Sequence, residues 1–588
     1  MESAGTRARI LPRVAVPTRD GVSLATDVYL PVGAAPAPVV VVRTPYGRNA
    51  PFMQFLAVRL SAGGYAVVLQ DSRGRYQSQG EFQLTRECDD GYDTLAWLGG
   101  RDWCDGRAAL VGLSITSYPC FRLATSAAPP GVRIETMVNV MGAANLHRLF
   151  YRDGALLLHW ALPWCLMMSP SQMGRTGWQQ LPWAELYRHL PLSEALEAVD
   201  GQARGLWPLI VQYPACEGFW DDLDATSRLE DLRIPVLHVS GWHDFLLAQV
   251  LDVHARAARL GHAPQKLVVG PWDHQTLFAA LAPPRAAAGP ATSIDMMAVI
   301  ADWLERHMPA EEPRAERAPE AAVLVYLMER GVWLAEDAFP PPGAEIHELF
   351  LESDGHANTS AGDGRLVPAA PARTGQDSFV FDPEQPVPTT GGAVWPFAAG
   401  GLQPGPADQG AVESRPDVLV YTSAPLDDDW VVLGPVRLEL WAASSAPDTD
   451  FTGKLVDVDP LGTARIVQDG ILRARFRGGC RREEALEPLR PVRFDIDLQA
   501  SAHCFRRGHR LRLEVSSSNF PKFERNLNTA HLRAARPQPA TQYAFHGGAT
   551  PSRLRLPRLP ESALRVVAQG TQGTRAAAPV APGQGERT

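Results

Sequence analysis

The stretch Ala109-Leu-Val-Gly-Leu-Ser-Ile-Thr-Ser-Tyr118 determines how the rest of the chain is interpreted. The apolar residues 108–111 predict a buried strand, and residues 121–124 have helical character. The tripeptide Gly112-Leu-Ser114 lies between them. A strand, a sharp turn and a helix in this order lift a serine hydroxyl at the turn out of the sheet. The N-terminus of the following helix offers backbone N–H groups to a developing oxyanion.

This pattern is typical of the nucleophile elbow of α/β-hydrolases, but the match is imperfect. The motif G-x-S-x-G requires glycine where this chain has Thr116. A G-x-S tripeptide also occurs by chance in most chains of this length. The elbow therefore becomes convincing only if an acid and a histidine follow it on the same sheet.

Apolar segments of strand length alternate with helical segments on both sides of the elbow. Further buried strands are predicted at residues 37–42, 65–70, 136–140, 235–240 and 266–270. Helices are predicted at residues 89–98 and 296–307. Strands and helices that alternate at this spacing predict a mainly parallel α/β sheet.

Two of these strands end in residues suited to catalysis. Gly241-Trp-His-Asp244 follows one strand, and Pro271-Trp-Asp-His274 follows the next. Open α/β sheets place their sites at the carboxyl ends of the strands, and the order Ser114, Asp244, His274 is that of α/β-hydrolases. Two alternatives stay open: Asp244 forms an ordinary Asx turn while His243 or Asp273 is reactive, or His274 is a structural histidine.

Composition limits the classes of function. The chain has 588 residues, which indicates roughly two to four domains. Its net charge of −9 offers no electrostatic case for a nucleic acid or an anionic membrane as partner. No apolar run approaches the length of a transmembrane helix, and the first residues lack the apolar core of a signal peptide.

The seven cysteines are scattered and have no C-x-x-C spacing. This pattern indicates neither a zinc site nor a disulfide framework, so we expect free thiols in a reducing compartment. A cytoplasmic protein is therefore predicted.

The segment between the two halves of the sheet has a different character. Residues 143–231 read as several short helices and contain six of the fifteen tryptophans: Trp160, Trp164, Trp178, Trp183, Trp207 and Trp220. Such an insertion is either plain core or a cap that walls a substrate pocket, and we predict the cap. The predicted domains are a core at 1–142 and 232–320, a helical cap at 143–231, a jelly-roll β-sandwich at 321–568 and a disordered tail at 569–588.

The chain resembles the cocaine esterase-like hydrolases (the CocE/NonD family), which are related to the α-amino-acid ester hydrolases and the X-prolyl dipeptidyl aminopeptidases. The similarity extends over nearly the whole chain. The motifs that carry it include Arg19-Asp-Gly21, Arg43-Thr-Pro-Tyr-Gly47, Gln70-Asp-Ser-Arg-Gly74, Gly241-Trp-His-Asp244, Gly270-Pro-Trp-Asp-His274, Asp469-Gly-Ile-Leu-Arg473 and Ser516-Ser-Ser-Asn-Phe-Pro521. The resemblance implies an α/β-hydrolase core, a helical cap and a C-terminal jelly roll, with the active site where the three meet.

The resemblance also implies the roles of individual residues. Ser114 would be the nucleophile, His274 the general base and Asp244 the orienting acid. The oxyanion hole would consist of the Tyr46 hydroxyl and the backbone N–H of Ile115; without the resemblance, Tyr46 would read as a half-buried core tyrosine. The aromatic residues predicted to line the substrate pocket are Trp160, Trp164, Trp242 and Phe245.

The chain departs from the family around the nucleophile. The family reads G-x-S-Y-x-G at the elbow, whereas this chain reads Gly112-Leu-Ser-Ile-Thr-Ser117. Ile115 makes one wall of the pocket aliphatic, and Ser117 places a side chain where glycine allows close packing. Pro119 would remove a hydrogen bond at a cost of about 3 kcal/mol in a true helix interior.

Three functions are therefore compared. The first is a serine hydrolase that cleaves an ester or amide of a small or hydrophobic acyl group. The second passes the acyl group to an amine or alcohol, because an apolar pocket excludes water, and the third is a silent member that only binds ligand or performs acid–base chemistry. Glu217, Asp221 and Asp222 could bind a free α-amine, although a solvated charged segment is the simpler interpretation. We expect a small-molecule acyl substrate and no cofactor or metal; the oligomeric state is left open, with a homo-oligomer among the options.

Overall fold

A computed structural model describes residues 8–33, 36–170, 173, 177, 180–197, 199, 205–281, 294–311, 320–395, 401–530 and 536–567. Trp178 and the predicted tail at 569–588 lie outside the described residues.

The first half of the chain folds around one large sheet. The strands of this part of the chain are β1 Arg9–Pro17, β2 Ser23–Leu30, β3 Ala37–Thr44, β4 Ala66–Asp71, β5 Cys104–Leu113, β6 Arg133–Val140, β7 Tyr151–Arg152, β8 Ala155–Leu156, β9 Val236–His243, β10 Gln265–Asp273, β11 Val323–Leu327 and β12 Val332–Glu336. Strands β7 and β8 pair only with each other, and the other ten form the large sheet. The strand order in the sheet is β1-β2-β4-β3-β5-β6-β9-β10-β11-β12. All neighbours from β4 to β11 pair in parallel, and the antiparallel strands lie at the two edges.

The central strands are buried along their whole length because both faces of the sheet are covered. Every residue of β3, β4 and β9 is buried, as expected for a parallel sheet with helices on both sides. The helices of the chain are α1 Pro51–Ala62, α2 Glu87–Leu98, α3 Ser117–Ala124, α4 Leu146–Phe150, α5 Leu158–Met168, α6 Trp183–Leu186, α7 Trp207–Gln212, α8 Leu247–Leu260, α9 His274–Ala280, α10 Met296–His307 and α11 Gly410–Glu413. Among the residues that the structure describes, none of these helices combines the length and the apolar character that a membrane crossing requires.

The segment between β6 and β9 contains the short helices that the sequence predicts. Its main element, α5, is buried on nearly all sides, which explains why it is apolar all round instead of having one apolar stripe. The apolar side chains of α4 to α7 belong to the same core cluster as one face of the sheet. The cap and the sheet are therefore packed together without an intervening polar layer.

The C-terminal domain is all β, as predicted. Its strands are β13 Glu345–Glu352, β14 Arg365–Val367, β15 Gly375–Phe381, β16 Leu419–Thr422, β17 Trp430–Ser444, β18 Asp450–Val458, β19 Ala464–Arg473, β20 Val492–Phe505, β21 Arg510–Ser516, β22 Ala540–His546 and β23 Arg553–Leu559. They form a second sheet with its own apolar core. The domain also contacts the cap directly, since the His159 N–H donates to the Pro521 carbonyl at 3.0 Å.

One predicted boundary needs correction. Strands β11 and β12, which the sequence analysis assigned to the β-domain beginning at residue 321, belong to the first sheet. Val323 of β11 lies in parallel register with Leu267 of β10, and β12 pairs with β11. A short apolar strand does not reveal its pairing partner, so its sheet cannot be read from the local pattern.

Candidate active site

The serine at the elbow has the backbone that the motif predicts. Strand β5 ends at Leu113, and Ser114 follows with a φ of 59°. A positive φ at a residue with a Cβ costs about 1–3 kcal/mol and persists only where the surroundings enforce it. Thr116 provides part of that enforcement, because its hydroxyl accepts from the Leu113 N–H at 2.8 Å and donates to the Leu113 carbonyl at 2.9 Å.

The structure shows how the elbow accommodates Ser117. This side chain is fully buried and lies against two glycines that provide the space. A Cβ on Gly112 would lie 2.6 Å from Ser117 Oγ, and a Cβ on Gly142 would lie 2.3 Å from the same atom. Both distances exclude a side chain at the two glycines. Strand β5 and helix α3 therefore still approach each other closely, because Gly112 and Gly142 lie against Ser117.

Pro119 does not interrupt a helix. Residues 114–116 form a 3₁₀ turn, and α3 begins only at Ser117. Pro119 is therefore the third residue of α3, where a backbone N–H would have no partner within the helix. The cost expected for a helix interior does not arise.

Ser114, His274 and Asp244 form a continuous chain of hydrogen bonds. His274 Nε2 lies 3.1 Å from Ser114 Oγ, and His274 Nδ1 lies 2.9 Å from Asp244 Oδ1. Each of the three residues is at most 2 % exposed. In the sequence, Ser114 and Asp244 are 130 residues apart, and Asp244 and His274 are 30 residues apart. Each ring nitrogen therefore has its own partner, one hydroxyl and one carboxylate.

Asp244 is itself held in place. Its Oδ2 accepts from Ser240 Oγ at 2.8 Å, and its Oδ1 accepts from the Leu246 N–H at 3.1 Å. The structure does not bring the alternative residues to His274. Asp273 caps the N-terminus of α9, and His243 Nε2 is buried without a partner among the described residues.

Tyr46 lies in the loop after β3, and its hydroxyl oxygen accepts a hydrogen bond from Trp164 Nε1 at 3.0 Å. Burial raises the pKa of Tyr46 to about 12, although the Trp164 hydrogen bond and the Arg75 charge oppose the increase. The phenol therefore stays protonated near neutral pH and retains a proton to donate. Tyr46 also borders a cavity of about 300 Å³ that Arg48, Asp71 and Tyr76 help to line.

Aromatic rings surround the imidazole. The ring centroid of Phe245 lies 4.7 Å from that of His274, and Trp160 lies 5.0 Å from Phe245. Trp164 lies 5.6 Å from Trp160. Three of the four predicted pocket residues thus form one row of contacting rings, which reaches His274 through Phe245.

Trp242 is the exception and lies elsewhere. Its indole N–H donates to the Tyr326 carbonyl at 2.7 Å, and its side chain belongs to the core between the first sheet and the β-domain. The prediction that Trp242 lines the pocket is corrected accordingly.

Two aromatic residues of the site were not predicted. Phe278 lies 5.5 Å from the His274 ring, and Trp395 lies 5.1 Å from Trp160. Phe278 follows His274 by four residues in α9, so helical spacing could have identified it. Trp395 comes from the β-domain, and no local pattern connects it to the site.

The cysteine prediction is wrong for one pair. Cys216 of the cap and Cys480 of the β-domain form a disulfide, with Cα atoms 5.4 Å apart. The Cys216 N–H also donates to the Cys480 carbonyl at 2.9 Å. The two residues are separated by 264 positions, and only the packing of the two domains brings them together.

The acidic residues of the cap lie beside this disulfide. Glu217, Asp221 and Asp222 are exposed, and Asp221 pairs with Arg481 at 3.5 Å. These positions fit a solvated charged segment.

Comparison with known proteins places the chain in a family. A family model described as X-Pro dipeptidyl-peptidase (S15 family) matches residues 20–276, and the X-Pro dipeptidyl-peptidase C-terminal non-catalytic domain matches residues 315–555. The chain is 33 % identical over 553 residues to cocaine esterase of Rhodococcus sp. (strain MB1 Bresler), across 89 % of this chain and 93 % of that protein.

Solved structures share the fold. An aminopeptidase from a Thaumarchaeota archaeon superposes with a TM-score of 0.81 at 24 % identity, covering 95 % of this chain and 98 % of the other. An α-amino acid ester hydrolase superposes with a TM-score of 0.77 at 23 % identity and the same coverage. The fold and these similarities define a serine hydrolase of the α/β-hydrolase class that acts on esters or amides. Within this class, the chain belongs to the cocaine esterase-like (CocE/NonD) family.

Proposed function

We propose that Ser114 is the nucleophile of an esterase, with His274 as general base and Asp244 as the acid that orients the imidazole. The observation that carries the proposal is the hydrogen-bonded chain from Ser114 Oγ through both nitrogens of His274 to Asp244. This connectivity fixes the tautomer that accepts the serine proton. The positive φ of Ser114 is the backbone expected of an exposed nucleophile, and it argues against a silent member of the family.

The reaction follows from these positions. Ser114 Oγ forms a bond to the acyl carbon while its proton passes to His274 Nε2, and Asp244 stabilises the imidazolium. The Tyr46 hydroxyl and the Ile115 N–H donate to the oxyanion. The bond to the leaving alcohol then breaks, and His274 returns the proton to that alcohol. Water, deprotonated by His274, releases the acid and regenerates Ser114.

The surroundings favour an uncharged acyl group. The rings of Phe245 and Phe278 lie against His274, and Trp160 packs on Phe245. Apolar rings bind small aliphatic or aromatic acyl groups. The predicted alternative, a free α-amine bound by Glu217, Asp221 and Asp222, has no support from their exposed positions. We therefore propose esters of small or hydrophobic acids as the substrate class.

Acyl transfer is the second candidate function, because Ser114 and His274 are each only 2 % exposed. A site that excludes water prolongs the life of an acyl-enzyme and favours attack by another nucleophile. The product ratio with an added alcohol distinguishes the two outcomes. An ester product in excess of the alcohol's molar share would favour transfer.

The experiment that tests the proposal is the intact mass of the full chain after incubation with a fluorophosphonate. We expect one adduct on the wild type and none on Ser114→Ala. Ser117→Ala is the matched control, since it removes another buried hydroxyl of the elbow and should keep the adduct. A Ser114→Ala protein that is still labelled, or hydrolyses p-nitrophenyl butyrate at the wild-type rate, would contradict the assignment.

The predicted cytoplasmic location stays a prediction. The Cys216–Cys480 disulfide instead favours an oxidising compartment, where such bonds persist. Fractionation of the source cells, with thiol alkylation before lysis, measures both the compartment and the state of this pair.

A further inference from the structure

The hydrogen bond between Trp164 and Tyr46 has a defined direction. An indole N–H can only donate, so Trp164 Nε1 donates and the Tyr46 hydroxyl oxygen accepts across 3.0 Å. The Tyr46 oxygen consequently has its own proton left for a different acceptor. A phenol that accepts one hydrogen bond is also a stronger donor, because successive hydrogen bonds polarise one another.

We propose that Trp164 is a positioning residue of the oxyanion hole, which occupies the acceptor side of the Tyr46 hydroxyl and so directs its proton towards the substrate. This inference rests on the proposed function, in which Tyr46 donates to the oxyanion. It assigns to an aromatic residue of the cap a role beyond lining the pocket.

Packing holds Trp164 in one orientation. Its side chain is fully buried, with Phe150 at 5.6 Å on one side and Trp160 at 5.6 Å on another, measured between ring centroids. A ring in such contacts cannot rotate without displacing its neighbours. The indole N–H therefore points at a fixed position, and the Tyr46 oxygen occupies that position.

Arg75 forms hydrogen bonds to both segments that carry Tyr46 and Trp164. Its Nε donates to the Pro45 carbonyl at 3.0 Å, directly before Tyr46, and its Nη1 donates to the Met168 carbonyl at 3.1 Å. Met168 is the last residue of α5, the helix that carries Trp164. A cation at a helix C-terminus is favourable. The buried Arg75 thus connects the loop of Tyr46 to the helix of Trp164.

A double-mutant cycle on the full chain tests the inference. The variants are Tyr46→Phe, Trp164→Phe and the double substitution, with p-nitrophenyl butyrate as substrate. We expect Tyr46→Phe to lower kcat about 10²–10³-fold and Trp164→Phe to lower it about 10-fold with KM nearly unchanged. In the Tyr46→Phe background, Trp164→Phe should cause no further loss, since the hydroxyl that it directs is already absent.

A merely structural role gives a different result. Equal losses from Trp164→Phe in both backgrounds, or a change in KM alone, would overturn the inference. Trp220→Phe is the matched control: its indole N–H donates to the Tyr213 carbonyl at 2.7 Å, and its ring packs on Phe150 at 6.0 Å. It should keep kcat within about twofold even if it lowers the melting temperature.

If Trp164→Phe does not fold, benzothienylalanine at position 164 keeps the shape and removes only the N–H. The expected 10-fold loss in kcat is the same, and an unchanged kcat would overturn the inference. Failure of the proposed function is distinguishable. In that case Tyr46→Phe itself would leave kcat unchanged, or Ser114→Ala would still be labelled by the fluorophosphonate.

Discussion

Within the described part of the chain, serine, histidine and aspartate are joined by hydrogen bonds in two groupings, and one of these has the connectivity of a catalytic triad. The second lies in the β-domain, where Ser353 Oγ is 2.9 Å from His546 Nε2 and 2.7 Å from Asp377 Oδ2. Asp377 Oδ2 is also 3.4 Å from the same His546 Nε2. Serine and aspartate therefore approach one ring nitrogen, and His546 Nδ1 is buried without a partner in the described part of the chain.

The difference lies in connectivity and backbone. In the first grouping the serine and the acid take opposite nitrogens of His274, so the acid sets the tautomer that accepts the serine proton. In the second, the Ser353 hydroxyl donates its proton to the Asp377 carboxylate, so that proton is not directed at an imidazole nitrogen. Ser114 has a φ of 59°, and Ser353 is not among the described residues with a positive φ. The same three residue types thus form the proposed catalytic triad in one place and a different hydrogen-bond network in the other.

The strongest test of this comparison replaces the two acids in turn. We expect Asp244→Asn to lower kcat about 10⁴-fold, because the amide holds the wrong imidazole tautomer. Asp377→Asn should leave kcat within about twofold, since the hydrogen-bond partners recorded for this network in the described residues all lie in the β-domain, away from Ser114 and His274. Steady-state hydrolysis of p-nitrophenyl butyrate measures both. A large loss of kcat in folded Asp377→Asn would show that the second grouping also contributes to catalysis.

The second test measures stability instead of rate. Asp377 accepts hydrogen bonds from Ser353, from Tyr421 at 2.8 Å and from the Ala357 N–H at 2.9 Å. Asp377→Asn should lower the free energy of unfolding by about 3–5 kcal/mol, because it leaves buried donors unpaired. Urea unfolding measures the change. An unchanged unfolding midpoint would show that the second grouping is not structural.

The same variant has a predicted pH dependence. Burial opposes ionisation of Asp377, but its hydrogen bonds with His546 and its other partners outweigh burial and lower its pKa below the ordinary value of 3.8. A carboxyl with a lowered folded pKa stabilises the fold above its unfolded pKa, and this contribution is lost as the pH falls through the folded pKa. The stability gap between wild type and Asp377→Asn should therefore narrow below about pH 4. A gap independent of pH would contradict this prediction.

The third test cuts the covalent link between the cap and the β-domain. Cys216→Ser should lower stability by about 2–4 kcal/mol, because it removes a cross-link over 264 positions. Thermal unfolding with and without a dithiol reductant measures the loss. Cys504→Ser is the control, since Cys504 is a free, buried thiol and should leave the response to the reductant unchanged. Equal melting temperatures of wild type and Cys216→Ser under oxidising conditions would contradict the assignment.

The smallest effect is expected at the elbow. Ser117→Gly restores the glycine of the related hydrolases and removes a buried hydroxyl that has no partner among the described residues. Relief of that unpaired hydroxyl offsets the lost packing and the extra freedom of glycine, so stability should change by less than about 1 kcal/mol. We expect kcat within about twofold of wild type. A tenfold change in kcat would show that Ser117 shapes the nucleophile.

The local sequence pattern was sufficient to predict many of the helices and strands and the positions of the candidate site residues on them. The predicted helix at 296–307 has the same bounds as α10. The predicted helix at 89–98 ends where α2 ends, and α2 begins two residues earlier, at Glu87. The strand, turn and helix around Ser114 and the positions of Asp244 and His274 at strand ends follow from periodicity and chain order. These features depend on neighbours within a few residues, which a sequence displays directly.

The contacts between segments that are far apart in the sequence could be read only from the tertiary structure. Trp242 and Trp395 are both buried tryptophans, and only the packing shows that Trp395 contacts Trp160 while Trp242 contacts Tyr326. The same holds for the Cys216–Cys480 pair and for the register of β11 with β10. Serine, histidine and aspartate, identical by residue type in both groupings, differ in chemistry because their geometry does. Residue type and spacing determine which groups are available, whereas the direction of each side chain is set by contacts made across hundreds of residues.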